Sequence, residues 1–424
     1  MNMMSMNGSN KVVVIGGGAA GMMAAGRAAE LGAQVTLLEK NPRLGKKLLI
    51  TGKGRCNVTN CCPWQDVLKN VHTNSRFLYS TMASFPPEDV MAFFESFGCR
   101  LKTERGNRVF PVSDRSADVL QALQDYLAKG RVKLLYTKAQ GLIVQNGRVT
   151  GVKTEQGPVH ADCVILATGG CSYPLTGSTG DGYDMAKTVG HTVIEPTGSL
   201  VPLVEKGHMC SAMQGLSLKN VALKLKNSAG KTVYEDFGEL LFTHFGLSGP
   251  IVLSASAHME RGQEGYTVEL DLKPALDEKT LDARLVREFD AARNKDLENC
   301  MPALLPHSMV SVFLRACQIP PECKVHSVTK QQRRAILEHL KCFRIPIACK
   351  APVEEAIVTS GGISVSQINP KTMASKCADG LFLAGEVMDV DAYTGGFNLQ
   401  IAWATGRCAG ESAARYEKNR EDTV

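Results

Sequence analysis

The chain of 424 residues lacks the features that would place it at a membrane or on nucleic acid. Its start, residues 1–10, has neither the basic segment nor the apolar run of a signal peptide. The longest uncharged stretch, Val12 to Gly26, is shorter than the ~20 residues that cross a bilayer and is rich in glycine. No run of like charges resembles a nucleic-acid or membrane tail. We therefore expect a cytoplasmic protein with a small-molecule substrate and no nucleic-acid or membrane partner. Nothing in the sequence indicates its oligomeric state.

Metal and disulfide signatures are missing as well. The 14 cysteines are dispersed without a Cys-x-x-Cys pair, and no His-Glu-x-x-His or paired Cys/His spacing occurs, so we expect no metal site and no disulfide framework. Cys56 and Cys61 have the spacing of a redox pair in flavin-dependent disulfide reductases. The second dinucleotide fingerprint and the C-terminal His-x-x-x-x-Glu of those enzymes are absent. We therefore favour a packing role for Cys56 beside a cofactor.

Composition is that of a globular protein with two or three domains. Apolar residues make up 44% of the chain and charged residues 21%, and the net charge is +6. Basic residues concentrate between Lys40 and Arg55. Because this cluster directly follows a nucleotide-binding motif, bound phosphate explains it better than nucleic acid does.

That motif is the glycine turn Gly16 to Gly21, which fits G-x-G-x-x-G. It follows the apolar run Val12 to Ile15, opens an alanine-rich helix that ends near Leu31, and precedes a strand that delivers Glu39. In such a unit the glycines permit a tight turn and close approach of a diphosphate, the helix N-terminus supplies positive charge, and the acid accepts ribose hydroxyls. The pattern predicts dinucleotide binding.

Two further strands end in glycine turns, at Ala167 to Gly170 and at Leu383 to Glu386. A plain nicotinamide dehydrogenase needs only the first fingerprint, whereas a flavoprotein with two dinucleotide folds uses all three elements. A helix that begins near Gly395 would then place its positive end at the flavin ring and stabilise the reduced form. The alternative is that all three are ordinary strand-to-helix turns.

The hydrophobic periodicity of the sequence changes twice between these segments. Alternating strands over residues 191–275 indicate a small barrel or sandwich, and Leu281, Leu285 and Phe289 begin a helical pattern over 276–342. Thr329 with Gln332 forms a capping-box signature within it. After about residue 355 the chain returns to buried strands, so both chain ends are predicted to form one domain.

The segment Thr51 to Asn60, preceded by Leu44 to Lys47, resembles the BaiN/RdsA family of FAD-dependent oxidoreductases, which includes aminoacetone-oxidase-like flavoproteins. The similarity continues through Gly177 to Gly182, Phe242 to Pro250 and Gly385 to Gln400. It implies an α/β fold: a Rossmann-like FAD-binding domain with an inserted β-barrel domain and a small helical insert. The expected limits are 1–190 and 355–424 for the FAD domain, 191–275 and 343–354 for the substrate-side barrel, and 276–342 for the helices.

The resemblance also implies FAD contacts at the glycine turn, the end of the second strand, the basic loop, and the C-terminal turn and helix. The predicted cofactor-binding residues are Gly16, Gly18, Ala19, Ala20, Gly21, Glu39, Lys40, Lys46, Lys47, Gly54, Arg55, Cys56, Asn57, Thr168, Gly169, Gly385, Glu386, Asn398, Leu399 and Gln400.

Three residues are candidates for chemistry. His244 is a possible general acid among apolar neighbours, and Tyr393 is a possible proton donor. Arg55 would polarise a carbonyl, bind FAD phosphate or order the loop. Other polar candidates for a substrate cleft are Ser172, Tyr173, Thr243, Ser248 and Asp391.

We therefore expect a FAD-dependent oxidoreductase with hydride transfer through the flavin. NAD(P)H-linked reduction of an activated C=C bond is favoured, with NADH or NADPH as a transient electron donor. Two alternatives remain open: an O₂-using oxidase of a small amine or alcohol, and a non-enzymatic flavin-dependent redox sensor or binding module.

Overall fold

The computed structural model describes residues 9–260 and 262–417. The chain divides into two compact units, one formed by the residues up to Gly198 together with those from Ile357 onward, the other by Ser199–Ala356. Each unit has its own hydrophobic core.

The strands are β1 (Lys11–Ile15), β2 (Gln34–Glu39), β3 (Thr59–Asn60), β4 (Leu101–Glu104), β5 (Arg108–Pro111), β6 (Lys133–Tyr136), β7 (Ala139–Gln145), β8 (Arg148–Thr154), β9 (Gly157–His160), β10 (Cys163–Leu166), β11 (Val193–Ser199), β12 (Leu203–Glu205), β13 (Ser217–Lys226), β14 (Thr232–Phe242), β15 (Gly246–Ser248), β16 (Thr267–Asp271), β17 (Phe343–Lys350), β18 (Val358–Ile363) and β19 (Leu381–Leu383). The α-helices are α1 (Ala19–Glu30), α2 (Lys46–Ile50), α3 (Trp64–Lys69), α4 (Tyr79–Ser84), α5 (Pro87–Ser96), α6 (Ser116–Lys129), α7 (Asp181–Lys187), α8 (Pro250–Ser256), α9 (Glu278–Ala291), α10 (Leu297–Cys300), α11 (His307–Ala316), α12 (Lys330–Lys341) and α13 (Phe397–Ala414).

A five-stranded parallel sheet in the order β19-β10-β1-β2-β6 is the centre of the first unit. Its two central strands, β10 and β1, are nearly continuous apolar runs because both faces of the sheet are covered, as is usual in parallel sheets. Val14, for example, is fully buried and pairs with Leu37 on one side and Ile165 on the other. The carboxyl ends of β1, β2, β10 and β19 therefore meet at one edge of the sheet, the usual place for a ligand in an open α/β sheet.

The first and last helices pack against each other through small residues. A Cβ added to Gly406 would lie 2.4 Å from the carbonyl oxygen of Ala20, and one added to Gly410 would lie 2.3 Å from that of Ala24. This close approach brings the start of α13, near the end of the chain, beside the glycine turn near its beginning.

Three smaller sheets accompany the parallel sheet, one of them the pair β11 and β18. β7, β8 and β9 form an antiparallel meander, and Asn146 and Gly147 connect β7 to β8 with positive φ, the conformation that a two-residue hairpin turn requires. β3, β5 and β4 form a short sheet that the sequence did not predict. Residues 40–60, expected as one loop, contain α2 and β3.

The second unit contains a closed barrel, in the order β12-β15-β14-β13-β16-β17, with α9 to α12 inserted between β16 and β17. Leu281, Leu285 and Phe289 are buried, and the predicted capping box at Thr329 and Gln332 is formed. Over the residues described, no helix has both the length and the apolar character that crossing a membrane would need.

Candidate functional site

A cavity of about 800 Å³ lies in the first unit at the carboxyl edge of the parallel sheet. Its wall is formed by the glycine turn after β1, the end of β2, the segment from α2 to Asn57, the turns after β10 and β19, and the start of α13. The volume is in the range of small-molecule and cofactor sites, ~300–1,000 Å³.

The three motif glycines of the glycine turn differ in how closely other atoms approach them. Gly16 has φ +105°, and a Cβ there would lie 2.5 Å from the carbonyl oxygen of Ala167. At Gly21 a Cβ would lie 1.8 Å from the carbonyl oxygen of Gly16, so helix and strand pack too closely for any side chain. A Cβ at Gly18 would meet nothing within 4 Å. Gly18 precedes α1 and faces open space, which suits a diphosphate approaching the N-terminus of that helix.

Glu39 is 8% exposed and holds this turn in place. One carboxylate oxygen accepts a hydrogen bond from the Gly17 N–H at 2.8 Å, and the other accepts from the backbone and side-chain amides of Asn41, both at 2.7 Å. The oxygen that binds Gly17 retains further acceptor capacity, so the carboxylate is also able to receive a ribose hydroxyl.

A half-buried charge pair links α2 to the turn after β19. The Lys47 ammonium is 2.7 Å from one oxygen of Glu386 and also donates to the Ser172 hydroxyl at 2.7 Å. Ser172 and the Thr359 N–H donate to Glu386 at 3.0 and 2.9 Å. Burial opposes ionisation of Glu386, but Lys47 and these hydrogen bonds outweigh it and hold the pKa of Glu386 below its ordinary value.

Arg55 lies on the cavity wall with its guanidinium already engaged. It contacts Glu104 and Asp114, each at 2.5 Å, and stacks over the Phe110 ring at 4.1 Å. Of the three roles predicted for Arg55, ordering the loop is the one that these contacts serve.

The N-terminus of α13 reaches the cavity through two glycines with positive φ, Gly395 and Gly396. The Asn60 amide donates to the Gly395 carbonyl at 3.0 Å. The Asn398 side chain accepts from the Ala392 N–H at 2.9 Å and donates to the carbonyl oxygens of Ala392 and Tyr393 at 2.7 and 3.2 Å. Asn398 thereby fixes the loop that carries Tyr393.

The cavity wall fits an extended dinucleotide. Oγ1 of Thr137, Oγ1 of Thr168 and Oδ1 of Asn57 are buried and have no hydrogen-bond partner among the described residues. All three residues line the cavity, one near each part of its length, and each atom is available to a polar ligand. These residues fit FAD: Glu39 and Thr137 would hold its adenosine, the glycine turn would hold its diphosphate, and Asn57 with the start of α13 would hold its ring system.

Sixteen of the twenty predicted cofactor-binding residues line the cavity, and Gly21, Gly54, Cys56 and Gln400 do not. Gly21 packs against Gly16, as described above. Gln400 is fully buried, where it accepts from the Thr59 hydroxyl at 2.6 Å and donates to the Phe85 carbonyl at 2.8 Å. Gly54 ends the 3₁₀ turn of residues 51–54 with φ +84°.

Cys56 is fully buried and Cys61 is exposed, and both are free thiols. Burial raises the pKa of Cys56 to about 12, so the thiol stays protonated and unreactive near neutral pH. These properties support the packing role over the disulfide alternative.

The candidates for chemistry fall in different units. Tyr393 is half-buried on the cavity wall, with Tyr173 also lining the cavity. His244 belongs to the second unit, where it is exposed between β14 and β15 with its ring 4.9 Å from that of Phe245.

The sequence did not indicate several wall residues, among them Arg108, Phe110, Thr137, Lys138 and Met185. Arg108 and Phe110 belong to the two- to four-residue strands of the small sheet, which are too short to leave a periodic signal. Thr137 and Lys138 follow β6, and their position beside β2 could have been inferred once β6 was placed in the parallel sheet.

Comparison with known proteins identifies relatives that align with this protein over nearly the full length of both chains. The chain is 31% identical over 411 residues to a 3-dehydro-bile acid delta(4,6)-reductase from Clostridium scindens, covering 96% of this chain and 99% of that protein. It is 29% identical to a ribosomal RNA dihydrouridine synthase from Escherichia coli, covering 93% and 95%.

Among solved structures, the FrdA chain of Escherichia coli quinol fumarate reductase superposes with a TM-score of 0.51 at 18% identity, covering 97% of this chain and 72% of that one. At this identity the similarity concerns the fold alone.

The family model described as the HI0933-like protein Rossmann domain matches residues 10–412. Together with the relative that shares 31% identity over nearly all of both chains, this match shows that the protein belongs to the HI0933-like family of FAD-binding Rossmann flavoproteins, the family of the BaiN/RdsA oxidoreductases.

Proposed function

We propose that this protein is an FAD-dependent reductase that transfers a hydride from NADH or NADPH to a carbon–carbon double bond conjugated to a carbonyl group. The observation that carries the proposal is the full-length similarity to two enzymes whose names denote this kind of reaction. A delta(4,6)-reductase of a 3-dehydro compound saturates double bonds near a ketone, and a dihydrouridine synthase saturates the ring double bond of uracil, which is also conjugated to a carbonyl.

The residues of the cavity suit such a reaction. When bound, FAD supplies the ring atom that accepts the hydride from the donor and passes it to the acceptor. The free N–H groups at the start of α13 favour negative charge on the ring side of the cavity. Lys47 and Glu386 form a neutral pair, so they orient polar groups without adding net charge.

Tyr393 is the residue of the described cavity wall that we assign as proton donor. The hydride adds to the carbon β to the carbonyl, and the Tyr393 hydroxyl delivers a proton to the other end of the conjugated system and regains it from water. The donor leaves as NAD⁺ or NADP⁺. Asn398, through the two carbonyl oxygens that it binds, holds the Tyr393 loop in position.

Anaerobic flavin spectroscopy tests the proposal. We expect NADH or NADPH to bleach the flavin absorbance of the purified holoprotein, and a 4,6-dien-3-one steroid or a uridine-containing oligonucleotide to restore it with formation of the saturated product. A saturated 3-ketosteroid is the matched control and should not reoxidise the flavin. Rapid reoxidation by O₂ alone, with bleaching by an amine or alcohol, would instead indicate an oxidase, and inertness to all donors would indicate a sensor.

Tyr393→Phe tests the proton donor. Loss of the hydroxyl should slow reoxidation by the acceptor by about 10²-fold or more while leaving bleaching by NAD(P)H unchanged. The control is Tyr136→Phe, since Tyr136 is an exposed tyrosine of the same unit outside the cavity. Equal slowing of both half-reactions would exclude a role for Tyr393 in protonation.

A further inference from the structure

The cavity wall carries more positive charge than a bound FAD requires. Three of its basic side chains are neutralised within the protein. Lys40 pairs with Asp181 at 2.6 Å, Lys47 pairs with Glu386, and Arg55 pairs with two carboxylates.

Four other basic residues of the wall, Lys46, Lys53, Arg108 and Lys138, have no carboxylate partner in the part of the chain that the structure describes. Lys46 donates to the Leu175 carbonyl at 2.7 Å. Lys138 follows Thr137, whose N–H donates to the Glu39 carbonyl at 2.9 Å, so Lys138 lies at the adenosine end. Arg108 donates to the Arg105 carbonyl at 3.1 Å and lies opposite Glu104, which Arg55 already engages. Over the described residues, neither Lys53 nor Arg108 forms an ion pair with a carboxylate, so the charge of both remains to be balanced.

These two residues lie at the ring end of the cavity. Arg108 is on β5 directly opposite Asn60, which in turn binds Gly395 at the start of α13. Phe110 joins Arg108 to the Lys53 loop: the Arg108 guanidinium is 6.0 Å from its ring centroid, and a Cβ on Gly52 would lie 3.5 Å from its Cε1.

The position of Lys53 and Arg108 separates them from the negative charge of the cofactor. The diphosphate belongs at the glycine turn, whereas the oxidised flavin ring carries no formal charge. Both side chains are exposed, so they face a ligand that enters from solvent. Two cations on different elements suit a phosphate group, which offers several strong acceptor oxygens.

We propose that Lys53 and Arg108 form a phosphate-binding site at the ring end of the cavity, which recognises a phosphate group on one of the two molecules that exchange hydride with the cofactor. The identity of those molecules rests on the proposed function. The phosphate belongs either to the nicotinamide donor or to a nucleotide acceptor, and the chemistry of recognition is the same for both.

Equilibrium binding to the FAD-loaded protein tests the site without turnover. The probes are NADP⁺ against NAD⁺ for the donor, and uridine 5′-monophosphate against uridine for the acceptor, each titrated while the flavin spectrum is recorded. The variants are Lys53→Asn, chosen because asparagine tolerates the φ of +58° at this position, and Arg108→Gln. The matched control is Lys153→Gln on β8, an exposed lysine outside the cavity.

We expect each variant to weaken binding of at least one phosphate-bearing probe by about tenfold, as loss of a charge-assisted hydrogen bond would. Added salt should weaken wild-type binding more than binding by the double variant. Selective weakening of NADP⁺ assigns the phosphate to the donor, and selective weakening of uridine 5′-monophosphate assigns it to the acceptor. Unchanged affinity for all probes in the double variant would overturn the proposal. A changed flavin reduction potential without any change in probe affinity would overturn it too. The two cations would then stabilise the negative charge of the reduced flavin ring and would not bind a phosphate.

Failure of this proposal is distinguishable from failure of the proposed function. Binding of the phosphate probes is measured with oxidised flavin and needs no acceptor reduction. A protein that binds them through Lys53 and Arg108 yet reduces no conjugated acceptor would contradict the reductase assignment and leave the phosphate site in place.

Discussion

Gly18 and Gly21 belong to one fingerprint but have different surroundings, and substitution separates their roles. In Gly21→Ala the new methyl would lie 1.8 Å from the Gly16 carbonyl oxygen. We expect this overpacking to lower the free energy of unfolding by about 1–3 kcal/mol and to abolish FAD retention. Thermal unfolding of the cofactor-free protein and flavin content after desalting measure the two effects.

Gly18→Ala is the comparison. A Cβ there meets nothing within 4 Å, and the backbone is in an extended conformation that alanine adopts without strain. The cofactor-free protein should therefore melt as the wild type does, while FAD affinity falls because the methyl occupies the approach of the diphosphate. Wild-type FAD affinity in this variant would show that the diphosphate does not approach Gly18.

The pair of Lys47 and Glu386 predicts a pH dependence. Because the pKa of Glu386 is lowered in the folded protein, its ionisation stabilises the fold above the unfolded pKa of about 4.3, and this stability is lost as the pH falls through the lowered value. Lys47→Met leaves the half-buried Glu386 carboxylate without its cation. We expect the free energy of unfolding to fall by about 1–3 kcal/mol near pH 7. The deficit should narrow as the pH falls, because the carboxyl is protonated first in the variant and only below the lowered pKa in the wild type.

Urea unfolding near neutral pH and at lower pH measures this deficit. Adding Glu386→Gln to Lys47→Met removes the unpaired charge and should recover part of the loss at neutral pH. A deficit that is independent of pH would mean that Lys47 contributes through packing of its side chain.

At the scale of elements, the contact between α1 and α13 couples the two ends of the chain to the cavity. Gly406→Ala together with Gly410→Ala would place methyl groups against carbonyl oxygens of α1. Separation of the helices should lower the free energy of unfolding by several kcal/mol and shift both helix N-termini, so FAD affinity should fall as well. Ser412→Ala on the same helix is the control. Equal FAD affinity in the wild type, the double variant and Ser412→Ala would show that the packing of α1 on α13 does not affect cofactor binding.

Strands and helices with long or strongly patterned sequences were predictable. The apolar run Val12 to Ile15 and the strand that delivers Glu39 are β1 and β2, and the helix expected to begin near Gly395 begins at Phe397. The small sheet of β3, β4 and β5 was not predictable from the sequence, because strand pairing over two to four residues depends on neighbours that are distant in sequence. That sheet brings Arg108 and Phe110 to the cavity.

At the scale of the whole molecule, all described residues that line the cavity belong to the first unit. β11 and β18, which flank the inserted unit, are neighbours, and the Ser364 N–H donates to the Thr192 carbonyl at 3.0 Å. The end of β18 therefore lies beside the start of β11, so the strands run antiparallel and residues 198 and 357, both of the first unit, are close. We predict that a short Gly-Ser linker can replace residues 199–356 and that the remaining protein still binds FAD.

Flavin absorbance retained after desalting, together with a cooperative melt, would confirm this. A folded protein that binds no FAD would contradict it and show that the second unit contributes to the cofactor site. The role of His244 and the substrate-side role of the barrel stay predictions, and turnover of the shortened protein tests both.

The sequence by itself determined the dinucleotide turn, the acid at the end of β2 and the apolar strands, because these depend on local conformation and on the order of elements along the chain. Only the tertiary structure decided which charges stay unpaired. Arg55 is neutralised by Glu104 and Asp114, whereas Arg108 and Lys53 are not, and such pairing follows from distances between residues far apart in the chain. For the same reason Gln400, two residues after Asn398, is buried against Thr59 and does not line the cavity, since residues two positions apart on a helix point in different directions.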